Sequence, residues 1–499
     1  MANIGKISVN TATDFTASKA FTGTSATDDY VEFAATSVPI FSDFYVNPVG
    51  NLTMAIDAAS ISKSASYTFA YASPATAVEG FQRSGSSRES FNSLALFAGP
   101  GDYSAQTGGY SFYATSGNDL LIAPLNSLFG SSLQGWLGDD TLIGGNGDNT
   151  LQGGPGKNEM QGKNGADTYR TKTEYFSTDT IIEEGTDSEH DALQVYLTAR
   201  STWNVSFERV GNDLLGKVND AVGTYTFTSK GQYLTPNSGL EGLTLYAADN
   251  LGPWRGFAFK VASTTGSNMV EAGTAANDTF KPDSLGMGAD RTAYRAWGND
   301  GNDLMNRWSN KNFYNFFDGG NGIDTVVYAQ ASTDYTLTKY AASVGYEGFT
   351  VRNKTAPTTV VSDNMTSVER FVFSDKKLAF DTNASQVAKI LGAVFGKSAV
   401  TNKEYVKIGL TYMDAGMSYT DLCALALSVT RKTDPGDVVD LIYTNLVGVK
   451  PPAGDKALFV QMLKSGVTNG ELVRFAADLS LNETNIGLIG LAANGIEFA

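Results

Sequence analysis

The chain has 499 residues, with 36 basic against 52 acidic side chains and a formal charge of −16. That balance, with no basic stripe, argues against a nucleic-acid partner, because phosphate binding needs clustered Lys and Arg. Cys423 is the only cysteine and His190 the only histidine, which excludes an internal disulfide, a cysteine-based zinc site and the two-histidine HExxH motif.

No GxSxG nucleophile elbow occurs, and His190, in the polar run GTDSEHDAL, reads as a solvated loop or strand-edge residue. The opening MANIGKISVNTATDF lacks the apolar core of a secretory signal. No apolar run approaches the roughly 18 to 20 residues of a membrane span.

Residues 1–112 are rich in Ser, Thr, Ala and aromatics, as in DDYVEFAATSVPIFSDFYV and SASYTFAYASPATAVEGF. Short alternating runs divided by Gly, Pro and Asp predict an N-terminal all-β domain. It shows no catalytic constellation and is free to act as an anchor or assembly contact.

A nine-residue beat follows. The half unit SGNDLLIA puts Gly117 and Asp119 at its fourth and sixth places. The full units are GWLGDDTLI (135–143), GGNGDNTLQ (144–152), GGPGKNEMQ (153–161) and GKNGADTYR (162–170). Glycine holds the first place (Gly135, Gly144, Gly153, Gly162) and the fourth (Gly138, Gly147, Gly156, Gly165). Asp140, Asn149, Asn158 and Asp167 hold the sixth, and Leu142, Leu151, Met160 and Tyr169 the eighth. A six-residue turn that curls around an ion needs positive φ or close backbone approach, which glycine permits. The short strand after each turn then points its eighth residue inward. Alternate units turn on opposite sides, so each sixth residue stacks on the one two units later: Asp140 on Asn158, Asn149 on Asp167.

Carboxylate, amide and backbone carbonyl oxygens are the ligands Ca²⁺ accepts. With Asn in half of the sixth places, each stacked pair carries a single formal charge, to which Asp139 and Asp148 at the fifth place add field. The expected affinity lies in the extracellular range, roughly 10⁻⁴ to 10⁻³ M.

A degraded second block lies downstream. GTAANDTF, with Asp278, leads into it; GNDGNDLMN (298–306) carries Asp300 and Asp303, and GGNGIDTVV (319–327) carries Asp324. Between them NKNFYNFFD (310–318) keeps the beat with Asn315 and Phe317 but without glycines, after three extra residues, Arg307 to Ser309. Calcium is expected here too, with fewer ions.

Alternating stretches follow each block: VSFERVGNDLLGKV and GLEGLTLYAADNLGPWRGFAF after the first, DYTLTKYAASVGYEGFTV and SVERFVFSDKKLAF after the second. They share an L/V-E-x-L/F-x-L/F frame at Leu240–Leu245 and Val368–Phe373. Two tandem modules result, 113–265 and 266–383, each a short parallel β-roll with an antiparallel flap covering its edge. From 384 to 499 the period turns helical. Ser418 before Asp421, Asp434 before Pro435 and Thr468 before Glu471 start helices, and Gly416, Gly448 and Gly466 stop them. Five or six helices are expected, with Cys423 a buried core thiol. The predicted class is mainly β with a C-terminal α domain.

Over roughly residues 117–499, the nonapeptides, flap strands and helical tail resemble a secreted bacterial protein of the RTX (repeats-in-toxin) family. The resemblance implies Ca²⁺ as ligand and a secreted, extracellular or cell-surface location. It also implies the type I secretion machinery as a partner, reading an uncleaved C-terminal signal at NIGLIGLAANGIEFA. The sequence departs from the family in having few well-formed repeats and Asn-for-Asp ligands. Such repeats are a chassis shared by unlike proteins. The favoured role is a structural or adhesive subunit of a surface layer or extracellular filament, forming a homo-oligomer or lattice. The alternative is a polysaccharide-degrading enzyme or carbohydrate-binding module, with a cell-surface polysaccharide as partner. Glu183 and Glu184 attract attention as a carboxylate pair but fall where strand-edge acids are expected. A membrane-damaging toxin would need a long insertion segment that the chain does not show.

Overall fold

The structure, a computed structural model, describes residues 110–499 except 115–117, 124, 126–127, 184–189, 200–202, 236–237, 247–252, 260–267, 286–292, 308–313, 341–347 and 356–361. Ahead of residue 110 it describes only short strands. Gly117, Glu184, Ser309 and most of the segment read as an N-terminal domain lie outside the described residues. Two compact units divide the chain: Met1–Thr274 with Gly286–Trp297, and Ala275–Leu285 with Gly298–Ala499. The class is mostly β, with parallel sheets and a C-terminal set of helices.

In the first unit each nonapeptide is one turn and one short strand, three residues long in the first three units and five in the fourth, so successive strands alternate between two parallel sheets. Leu120–Ile122, Thr141–Ile143, Glu159–Gln161 and Thr178–Ile182 pair in one. Ser132–Gln134, Thr150–Gln152, Thr168–Lys172, Ala192–Tyr196 and Gly242–Tyr246 pair in the other. The register aligns Leu121, Leu142, Met160 and Ile181 as one ladder and Leu133, Leu151, Tyr169, Leu193 and Leu243 as the other. All nine side chains are fully buried. They form the core, each contributing about 1.5–3 kcal/mol by burial.

The flap is continuous with this roll. Asn204–Val210, Asp213–Asn219 and Thr224–Lys230 form an antiparallel meander whose last strand runs parallel to Thr178–Ile182. Gly242–Tyr246 forms a hairpin with Pro253–Ala258. Both edges are thus covered rather than left as open pairing templates.

The second unit repeats the scheme with less. Thr279–Phe280, Leu304–Asn306, Thr325–Val327 and Arg370–Val372 run parallel. Lys377–Ala379 then turns back antiparallel, and the last strand of the chain, Ile496–Phe498, closes the sheet against it. Tyr314–Asp318 runs parallel to Asp363–Thr366, which continues antiparallel into Gly348–Asn353 and Tyr335–Tyr340.

Eight α-helices follow residue 381, two more than the upper expectation. The additional pair, Ser480–Ile486 and Leu488–Asn494, are seven residues each and meet at Gly487, at φ 64°. They are too short to display a helical period. The predicted starts are present. Ser418 accepts from the Asp421 amide, Asp434 from Gly436 and Asp437, and Thr468 with Glu471 forms a reciprocal capping box. Cys423 is fully buried, and burial pushes its thiol up to about 12.

Candidate calcium centre

The sixth-place side chains form ladders that run the length of each roll. On one edge of the first roll, Asp140 Oδ1 accepts the Asp119 amide at 2.9 Å and Asn158 Oδ1 accepts the Asp140 amide at 3.1 Å. On the other edge, Asn149 Oδ1 accepts from Ser131, Asp167 Oδ1 from Asn149, Asp191 Oδ1 from Asp167 and Glu241 Oε2 from Asp191, all at 2.6–2.9 Å. In the second unit Asp303 accepts from Asp278, Asp324 from Asp303 and Glu369 from Asp324, at 2.7–2.8 Å. One oxygen of each rung therefore caps the turn before it.

The other oxygen defines the site. Oδ2 of Asp140, Asp303 and Asp324 is buried and accepts no hydrogen bond. Leaving a carboxylate oxygen so costs several kcal/mol unless a cation neutralises it. Burial, reinforced by Asp119, Asp139 and Asp179, pushes the Asp140 carboxyl up to about 9. Burial takes Asp303 to about 6, and burial together with Glu369, Asp303 and Asp318 takes Asp324 to about 7.

The first-place glycines show where an ion fits. A Cβ on Gly135 would lie 2.2 Å from Asp140 Oδ2 and 2.5 Å from the Gly153 carbonyl oxygen. On Gly298 it would meet Asp303 Oδ2 at 2.1 Å and the Gly319 carbonyl at 2.4 Å. Each turn thus places a buried carboxylate oxygen beside a carbonyl of the next turn, in a space kept open by the missing side chain. Oxygen donors alone, with net negative charge, suit Ca²⁺. At Gly156, φ is 144° and a Cβ would sit 1.9 Å from the Gly138 carbonyl, so only glycine lets these turns stack.

The remaining sequence-derived residues divide. Asp119 and Asp278 supply their amides to the rungs. Gly144 and Gly147 occupy close approaches between turns, and Gly153 lies against the Asn158 side chain of its own turn. The fifth-place residues do not join the rungs: Asp139 Oδ1 accepts the Lys157 amide and Asp148 Oδ1 the Ala166 amide, on the exposed side of the stack. Asp300, also outside, accepts the Asn321 side-chain amide. Asn315 gives its backbone and side-chain N–H groups to Asp363 Oδ1 at 2.7 and 3.0 Å, and Asp363 is in turn paired with Arg307 at 2.6 Å. That turn is charge-balanced from within. His190 is exposed.

Five carboxylates that the nonapeptide pattern does not contain complete the ladders: Asp179, Asp191, Glu241, Asp363 and Glu369. Glu241 and Glu369 are the acids of the shared L/V-E-x-L/F frame, so that repeat marks the final rung of each ladder. Asp167, Glu183 and Asp191 each bring a buried carboxylate oxygen within 4.8 Å of the others. Tyr169 donates its hydroxyl to Glu183.

A family model described as the RTX calcium-binding nonapeptide repeat (4 copies) matches residues 137–169. Among solved structures, the extracellular lipase LipA from Serratia marcescens is similar at 12% identity and a TM-score of 0.18. The match covers 48% of this chain and 38% of that one, so the chain spans well under half of its neighbour's length. No curated protein matches. Residues 137–169 are thus matched by the RTX calcium-binding nonapeptide, and the chain carries four copies of a repeat whose metal is calcium.

Proposed function

We propose that the protein is a secreted structural or adhesive subunit of the cell surface, whose rolls fold when they meet extracellular calcium and which then self-associates. The observation that carries the calcium step is the set of buried carboxylate oxygens at Asp140, Asp303 and Asp324 that accept no hydrogen bond. At low calcium these charges oppose stacking. At millimolar calcium the ion binds only the folded turns and draws the equilibrium toward them by mass action. Secretion by a type I route agrees with this, because an ion-poor interior keeps the chain loose. Among the described residues no helix is long and apolar enough to cross a membrane.

Self-association is supported by an apolar groove of about 240 Å³ in the helical region, lined by residues including Phe395, Tyr405, Ile408, Tyr412 and Val429. Ile408 is 53% exposed and Val429 66%. Light scattering on the eluting chain, in chelator and then in millimolar Ca²⁺, tests both steps. Calcium should contract the hydrodynamic radius and raise the mass above one chain. A radius indifferent to calcium removes the folding step, and a contracted monomer removes the assembly step.

A second reading, binding of a polysaccharide, has its own support on the outer face of the roll. A polar cleft of about 410 Å³ is lined by Gln152, Arg170, Lys172, Glu174 and Tyr196, among others. Tyr196 stacks on Tyr246 with ring centroids 4.9 Å apart, and Arg170 Nε donates to Gln194. Aromatic faces beside hydrogen-bonding side chains suit sugar rings. Loss of glycan-array binding in Tyr196→Ala would favour this reading, and a blank array for the parent chain would end it.

A further inference from the structure

The nonapeptides differ at their sixth place, and the difference changes what fills the turn. Asn149 Oδ1 accepts the Ser131 amide, which fixes the side-chain orientation, since a flipped amide would set NH₂ against N–H. Its Nδ2 then faces into the turn and donates to the carbonyls of Gly145 at 3.1 Å, Gly147 at 2.5 Å and Gly162 at 3.3 Å. Asn158 behaves alike. Its oxygen accepts the Asp140 amide, and its Nδ2 donates to the Gly154 carbonyl at 3.0 Å and to Asp179 Oδ1 at 2.8 Å. In the turns of Asp140, Asp303 and Asp324 the corresponding atom is a carboxylate oxygen that accepts no hydrogen bond.

We propose that Asn149 and Asn158 are built-in replacements for the ion: their side-chain nitrogens stand where the Asp turns have a ligand oxygen, and their N–H groups bridge to the carbonyls as a cation would, so that these turns fold without calcium. The N–H groups and a divalent cation cannot share the same space beside these carbonyls, and an amide nitrogen offers an ion no lone pair. An NH₂ group aimed at the site also carries partial positive charge toward any incoming ion. The four matched repeats would then be two kinds of unit, amide-closed turns at 144–149 and 153–158, and calcium-demanding turns where Asp holds the sixth place. The presence of both kinds along the roll, with the two amide-closed turns flanked by Asp140 and Asp167, gives a scaffold that is part-formed before calcium arrives and completed by it. This rests on the calcium-folding reading above and adds which turns take part.

The test is calcium titration calorimetry on the full chain, with thermal unfolding followed in chelator. Asn149→Asp and Asn158→Asp, singly and together, should bind calcium beyond the parent's equivalents and should unfold at lower temperature than the parent in chelator. Asp140→Asn is the reverse variant and stays foldable if the double variant does not. It should lose calcium equivalents and gain thermal stability in chelator, because an amide now closes its turn. Unchanged stoichiometry in the Asn→Asp variants, or an Asp140→Asn chain less stable in chelator than the parent, overturns the proposal. A parent chain with no calcium dependence at all would instead defeat the folding reading, while leaving the comparison between variants and parent intact.

Discussion

At the scale of single residues, the roll separates two jobs within one carboxylate. Oδ1 of Asp324 caps the Asp303 amide, and Oδ2 is left for a cation. Asp324→Ala removes both, and the calcium concentration for half-folding should rise on the order of tenfold, equivalent to about 1.4 kcal/mol. An unshifted titration by circular dichroism would count against ligation there. Titration of the same groups gives a sign that can be checked. Their folded carboxyls lie above the ordinary aspartate range: Asp303 at about 6, Asp324 at about 7, Asp140 at about 9. In the ion-free fold, protonation of these groups therefore stabilises. The contribution is complete below the unfolded value and disappears as pH rises through each folded value. Melting in chelator should thus fall steadily between about pH 5 and pH 9. Saturating calcium should flatten that fall, because the ion takes the ionised form. A chelated chain that melts higher at alkaline pH would contradict the burial of these acids.

Among elements, the turn–strand unit depends on two kinds of position. Leu151, fully buried in its ladder, should cost about 2–5 kcal/mol on replacement by Ala. Gly156→Ala, forced into a left-handed turn against the Gly138 carbonyl, should cost at least about 1 kcal/mol without touching the core. Denaturant melts in calcium separate the two, and a neutral Gly156→Ala would mean the turns do not stack as closely as described. These positions were legible in the sequence because the beat encodes them directly: glycine where the turn closes, an apolar residue where the strand faces in. Asp179, Asp191 and Asp363 were not legible. They extend the ladders after the nine-residue spacing has lapsed, and nothing local distinguishes a capping acid from a solvated one. Glu241 and Glu369 lay in between. Their shared frame was visible, but the extra methylene that lets a glutamate reach back to the previous rung shows only in the fold.

For the whole molecule, the alternation of strands and the change to helical spacing near residue 384 together delimit a β chain with a helical end. What they leave out is where the end of the chain goes. The stretch NIGLIGLAANGIEFA, which reads as an apolar tail, contains a strand that closes the second sheet. Ile496 is 1% exposed, and Glu497 pairs with Lys403 at 2.5 Å. Deleting residues 496–499 should therefore speed amide exchange at Lys377–Ala379 and lower the melting of the second unit, while exchange in Thr141–Ile143 stays as it was. Equal exchange at Lys377–Ala379 in both chains would show that the strand contributes nothing to closure.

That closing strand also sets a clock. Its partner, Lys377–Ala379, is synthesised with the entire helical region still to be made. At roughly 5–20 residues per second, the gap is on the order of ten seconds. Until it ends, one edge of the second sheet has no neighbour. The first roll draws on no such distant segment for its parallel core, and needs only calcium to complete it. Completion of the second therefore waits for residues 496–498, and any factor that holds those residues also holds that sheet open.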